Sequence, residues 1–238
     1  MNEQYKLSEQ VIATSSPENF LRTMGKMERI PDLNAADAER LREEMSQQQI
    51  VEYYTFLENL RHPGTGLLDL HSHSLIRPKI LFHASQKGQI KEFEPREEKK
   101  RSADEPAQIF SSPSETVSSM FLVPTNNEFI KSGSYDHGET WVYIIGDWEN
   151  FKTMDKGGYI YTLPTETFGV DPNKGLGLFE WTSQQNVKPT AKKYFSSGLA
   201  AMREYGVKIY VVNQEIFSRF KLEENDIKIL EALKPYSD

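Results

Sequence analysis

Three short stretches of the chain carry residue types that can do chemistry. The first is Ile80-Leu81-Phe82-His83-Ala84-Ser85, where an imidazole ends an apolar run. A polar ring at the end of a buried strand must find hydrogen-bonding partners, because burial without them costs its solvation. His83 is therefore either a core histidine satisfied by backbone carbonyls or water, or a ligand-holding histidine at a sheet rim. The second stretch, Ile109-Phe110-Ser111-Ser112-Pro113, runs from β-rich residues into a helix start. Its hydroxyls and the first helical amides suit an anion, and they equally suit an ordinary helix cap. The third, Phe179-Glu180-Trp181-Thr182-Ser183, sets a carboxylate among aromatics. In a desolvated cleft such a carboxylate binds a sugar hydroxyl or stabilises a developing cation, whereas on an edge strand it faces water. Glu139 and Glu166 are rival carboxylates.

Other candidates carry less. His71-Ser72-His73 has no carboxylate-rich partner at metal-site spacing, so no metal is expected. Lys99-Lys100-Arg101 is balanced by Glu97, Glu98 and Asp104 and reads as a solvated loop. Tyr143, Tyr159 and Tyr161 are ordinary strand aromatics unless a ligand gathers them. The glycine-rich dinucleotide fingerprint, the phosphate-loop lysine motif and His-Glu-x-x-His are all absent.

The elements that must position these residues follow from periodicity. Ser16-Pro17-Glu18 opens a short helix with Phe20, Leu21 and Met24 on one face. Asn34 caps a second, expected to run to Arg61 and to dock through Tyr54, Leu57 and Leu60 on its second half. From Lys79 onward short β-rich runs alternate with turn clusters. Strands are expected at Lys79 to His83, Gln108 to Ser111, Trp141 to Asp147, Tyr159 to Leu163, Leu178 to Thr182 and Val207 to Val212. Glu94 to Pro106 and Asn126 to Gly138 read as loops. Ser112-Pro113-Ser114-Glu115 reads as a capping box for a helix from Pro113 to about Leu122, and further helical patterns cover Lys192 to Glu204 and Asn225 to Leu233. Strands grouped centrally with helices at both ends predict an α+β fold: a helical segment over 1–78, then a split, mostly antiparallel sheet over 79–238.

Composition narrows the function classes. A chain of 238 residues with 37% hydrophobic residues has material for a real core. Its net charge of −7 disfavours non-specific binding to nucleic acid. The absence of cysteine excludes disulfides and a thiol nucleophile and suits a reducing compartment, making the cytoplasm the default location. No run approaches the ~20 apolar residues of a membrane helix, so no membrane partner is expected.

The order of these pieces resembles the ADP-ribosyltransferase-like fold, specifically its histidine-type branch. A strand ending in His83-Ala84-Ser85, then Ile109-Phe110-Ser111-Ser112-Pro113 entering a helix that carries Phe121, then Glu180 before Trp181, carry the likeness over roughly Lys79 to Pro189. The resemblance implies NAD as substrate and cleavage of its nicotinamide–ribose bond, with transfer to an acceptor that is protein, nucleic acid or small molecule. It implies that His83 holds the ribose, that Phe110 or Ser111 borders the nicotinamide, that Ser85 and Tyr161 line the NAD site, and that Glu180 is the catalytic carboxylate with His83. The chain departs from the pattern where Phe110 replaces the usual tyrosine and where Glu180 lacks a second acidic or amide partner two residues away. These departures also fit a catalytically inactive nucleotide-binding or protein-interaction module on the same fold, with a partner met through the N-terminal helices.

Overall fold

The computed structural model describes residues 16–26, 33–60, 74–97, 106–124, 128–134 and 138–221, with 230, 233, 235 and 236. Helix α1 (Pro17–Met24) starts where expected: Ser16 accepts from the Asn19 amide, Pro17 occupies the first turn, and Phe20 and Met24 are buried. The long helix expected next is two. Asn34 caps α2 (Ala35–Glu44), which stops at an extended Met45, and α3 (Gln47–Leu60) begins afresh. Ser46 causes the break. Its hydroxyl accepts from the Gln49 amide at 3.2 Å while the Gln49 side chain accepts from the Ser46 amide at 2.8 Å. That reciprocal cap satisfies donors a continuous helix would have left for its own carbonyls.

Ile50, Tyr53, Tyr54 and Leu57, spaced for one helical face, are all fully buried along α3; the Leu60 side chain lies outside the described residues. Gln47 ties the start of α3 to the sheet, donating to the carbonyls of Ile80 and Pro113 and accepting from the amides of Lys79 and Ile80. Near the helix end, Glu58 accepts from the Leu178 amide at 2.6 Å. Buried residues of α1 to α3 belong to the same hydrophobic cluster as Leu81, Ile109, Tyr161 and Trp181, so one core crosses the 78/79 boundary.

Two three-stranded antiparallel sheets meet edge to edge. One has the order β1 (Leu81–Ser85), β5 (Gly158–Leu163), β8 (Ala191–Phe195); the other is β2 (Ile109–Ser111), β7 (Trp181–Ser183), β6 (Gly169–Val170). A bridge between Phe82 and Ser112 joins them, giving a ladder in the order β6, β7, β2, β1, β5, β8. A third sheet, β3 (Ile130–Ser134), β4 (Trp141–Ile145) and β9 (Lys208–Val211), contains a parallel pair, β4 with β9. Val142, Ile144, Tyr210 and Phe217 form a second cluster there. The fold is α+β with a largely antiparallel sheet content, as the strand grouping predicts.

Several expected elements shift for identifiable reasons. The helix after β2, α4 (Glu115–Met120), is capped by Ser114, not Ser112, because the Ser112 backbone is committed to the bridge with Phe82. The loop expected over Asn126 to Gly138 contains β3, whose polar Lys131, Ser132 and Ser134 hid it. The helix expected from Lys192 is strand β8 followed by α6 (Gly198–Glu204). Pairing with β5 overrides the helical preference of Ala191-Lys192-Lys193, and Ser197 with the Asp155 carboxylate caps the true helix start. Helices α5 (Trp148–Met154) and α7 (Gln214–Arg219) were not legible. Most of Asn225 to Leu233 and of Glu94 to Pro106 lies outside the described residues.

Candidate functional site

The three stretches singled out by chemistry lie on neighbouring strands. His83 is in β1, Phe110 and Ser111 are in β2, and Glu180 immediately precedes β7. The Phe82–Ser112 bridge is a mutual pair of backbone hydrogen bonds, 2.7 and 3.0 Å. In a continuing antiparallel ladder the Phe110 carbonyl would next receive the Ala84 amide. It receives the His83 ring instead, with Nδ1 2.6 Å away. A carbonyl only accepts, so Nδ1 carries the proton and the neutral ring presents Nε2 as an acceptor.

Burial holds the His83 imidazole below its ordinary pKa, the Phe110 carbonyl opposes this, and the nearby Arg96 guanidinium adds to the depression. A segment from Lys87 to Arg96 covers the ring. Phe93 meets it edge-on, with centroids 4.5 Å apart, and meets Tyr161 likewise at 5.1 Å. Phe93 is held by mutual backbone bonds to Val187 and Arg96 by the same arrangement with Gln108. Tyr161 is buried, and its hydroxyl donates to the Lys87 carbonyl at 2.7 Å. The backbone reading of His83, a polar ring satisfied by a carbonyl, is thus realised, with Nε2 left for a further partner.

The pleat divides the expected site. Residues directly opposite in an antiparallel ladder share a face and successive residues alternate. One row therefore runs Trp181, Ser111, His83, Tyr161, Lys192 on the first face. Phe110, Ser112 and Thr182 belong to the second face with Phe82 and Thr162, and Glu180, one residue before Trp181, follows their alternation. Ser111, buried and with no hydrogen-bond partner for its hydroxyl among the described residues, is the β2 side chain that shares the face of His83. Ser85 ends β1 on that face, opposite Tyr159, and its hydroxyl accepts from the Lys87 amide.

Glu180 is half-buried at the end of a 3₁₀ turn, Gly177–Phe179. Its carboxylate folds over Gly175, whose φ of +53° favours glycine. Glu166 is exposed on the turn after β5. Glu139 is also exposed and accepts from the Asn59 amide at 3.3 Å. It lines a groove of 1130 Å³ between α3 and the second face, where Phe82 and Thr162 contribute to the wall with Glu52, Glu115 and Glu204. Among the described residues that line this groove there is no lysine, arginine or histidine. Burial raises the Glu115 carboxyl above its usual range.

Sequence reasoning missed Phe93, which packs on His83, Arg96, whose charge influences the ring, and Lys192, which ends the row. Phe93 and Arg96 sit in irregular chain, and Lys192 in a stretch that reads as helix; no local signal marks them. Among the described residues no group of three or more His, Asp or Glu could hold a metal ion, and no helix is long and apolar enough to cross a membrane. His71 and His73 lie outside the described residues. Comparison with protein families, with curated proteins and with solved structures gave no match.

Proposed function

We propose that the chain is an NAD-using ADP-ribosyltransferase of the histidine-type branch, cleaving the nicotinamide–ribose bond and passing ADP-ribose to a protein, nucleic acid, small molecule or water. The observation that carries this reading is the adjacency of β1, β2 and β7, with the β1–β2 ladder giving way at His83 to a side-chain bond. A ligand can enter a sheet only where backbone pairing stops.

The chemistry follows from the bond broken. Its cleavage develops positive charge on the ribose, and a fixed carboxylate that also binds a ribose hydroxyl stabilises that charge more than the ground state. Glu180 has this role. His83, neutral and offering Nε2, accepts from a ribose hydroxyl and orients the sugar. Ser111 borders the nicotinamide with Ser85 and Tyr161 on the same wall, whereas Phe110 would reach it only from the other face. The pyrophosphate needs a cation, and Lys192 lies on the His83 face at the far end of the row, while Arg96 is close enough to influence the ring. The carboxylate-lined groove on the other face suits no such ligand. Absence of cysteine fits a cytoplasmic setting for this activity.

The register favours a second reading as well, a catalytically inactive nucleotide-binding or interaction module, since His83 and Glu180 fall on opposite faces and Phe93 covers the imidazole. A partner meeting the N-terminal helices would use the polar side of α3, because its apolar stripe is spent inside the chain. Incubating the protein with NAD and a cell lysate, and following released nicotinamide and added ADP-ribose by mass spectrometry, separates the two. Release and transfer are expected; NAD binding with neither product would leave the inactive module.

A further inference from the structure

The outer end of the His83 row has properties the row's centre lacks. Among the described residues strand β8 is the last of its sheet, and the register sets two rows side by side: His83, Tyr161, Lys192 and Ser85, Tyr159, Tyr194. Tyr161 is buried and His83, Ser85 and Tyr159 are half-buried, whereas Tyr194 is 61% exposed and Lys192 is exposed. Lys192 Nζ lies 4.7 Å from the Tyr159 ring centroid and 5.9 Å from that of Tyr161. It also donates to the Gly88 carbonyl. An ammonium has three donors, so others remain for an oxyanion.

The neighbouring lysine shows what is unusual here. Lys193, on the opposite face of the same strand, is paired with the Glu204 carboxylate. Lys192 has no carboxylate partner among the described residues, in a chain with seven more acidic than basic side chains. Its charge is instead held over aromatic faces. The aromatics are fixed too: Tyr159 rests on the Gly88 backbone, where an added Cβ would lie 2.5 Å from its ring, and Tyr194 packs on Tyr159 with centroids 5.2 Å apart.

An exposed tyrosine packed on a second ring, beside a cation with no carboxylate partner among the described residues, is what a nucleoside phosphate requires: a ring on which a base stacks and a donor for its phosphate. We propose that Tyr194 and Lys192, braced by Tyr159 and Gly88, form a binding surface for the base and phosphate of a nucleotide. This deepens the NAD reading by assigning a nucleotide subsite, about 10 Å from His83 across two strand spacings.

The test uses the full chain and AMP as probe, with binding followed by calorimetry at two salt concentrations. Wild type is expected to bind AMP more weakly at high salt. Tyr194→Ala should weaken binding about tenfold, the scale of a lost base stack, while Tyr194→Phe retains it. Lys192→Gln should weaken binding and flatten the salt dependence. Both side chains are exposed, so the variants should fold, and thermal melts check this. No AMP binding by wild type, or affinity unchanged in Tyr194→Ala and Lys192→Gln, would overturn the proposal. A loss of melting temperature in Lys192→Gln without loss of AMP affinity would reduce the lysine to an anchor for Gly88 and overturn it equally. Nicotinamide release from NAD is measured in parallel: AMP binding without release leaves this surface standing and removes the transferase reading, and release with AMP affinity indifferent to both variants does the reverse.

Discussion

The two faces of the β6–β7–β2–β1–β5–β8 ladder share strands but not chemistry. On the first, Trp181, Ser111, His83 and Tyr161 run from the core beneath α3 to Lys192. On the second, Phe82 and Thr162 open into a groove whose charged lining residues are all carboxylates. The difference comes from the pleat: residues one apart in sequence are sent to opposite faces, as Lys192 over its tyrosines and Lys193 beside Glu204 show. Adjacency in a motif is therefore no guarantee of adjacency in a site, as Phe110 and Ser111 illustrate.

The comparison is most sharply broken through Trp181, which carries the first face. It is buried, its indole N–H donates to the Leu178 carbonyl at 3.0 Å, and its ring lies 6.2 Å from that of Tyr54. Trp181→Ala is expected to cost about 3–5 kcal/mol in chemical denaturation. Phe110→Ala, at a half-buried position on the second face, should cost distinctly less. Equal losses would mean that the two faces contribute alike to the core.

Next in size is Glu180→Gln, which keeps shape and some hydrogen bonding but removes charge. NAD cleavage should fall by about 10²-fold or more with little change in NAD affinity. Full activity would transfer the role to Glu139 or Glu166, and loss of activity only in Glu139→Gln would place the reaction in the groove on the second face.

A smaller effect is expected from pH. The folded-state pKa of His83 is depressed below the ordinary 6.5, so between the two values the unfolded chain binds more protons and stability falls as pH falls. Lowering the pH from about 7.5 to about 5.5 should reduce Tm, and His83→Gln should flatten that slope. An unchanged slope would mean that the His83 ring is not held in a buried setting.

The smallest expected change is in Ser111→Ala. Removing a buried hydroxyl that has no partner among the described residues should leave Tm unchanged or raise it slightly. A weaker affinity for NAD in the same variant would show that the hydroxyl serves ligand rather than fold.

Local sequence alone determined what depends on neighbours in the chain. Ser16-Pro17 and Asn34 start helices because a cap needs only residues within one turn, and Ile50, Tyr53, Tyr54 and Leu57 declare a buried stripe by their spacing. The strands at His83, Phe110 and Tyr161 are legible because apolar and β-branched runs are cut by turn residues. Tertiary structure decided everything that depends on a partner strand. Lys192 to Phe195 is a strand only because β5 offers an unpaired edge, and β3 is one only because β4 does. Ser46 splits a helix that periodicity alone would continue. The register that puts Ser111, and not Phe110, beside His83 is set by one bridge, Phe82 to Ser112. A strand's own residues fix its alternation, but which of its two faces meets a neighbour's functional side chain is settled only when the backbones pair.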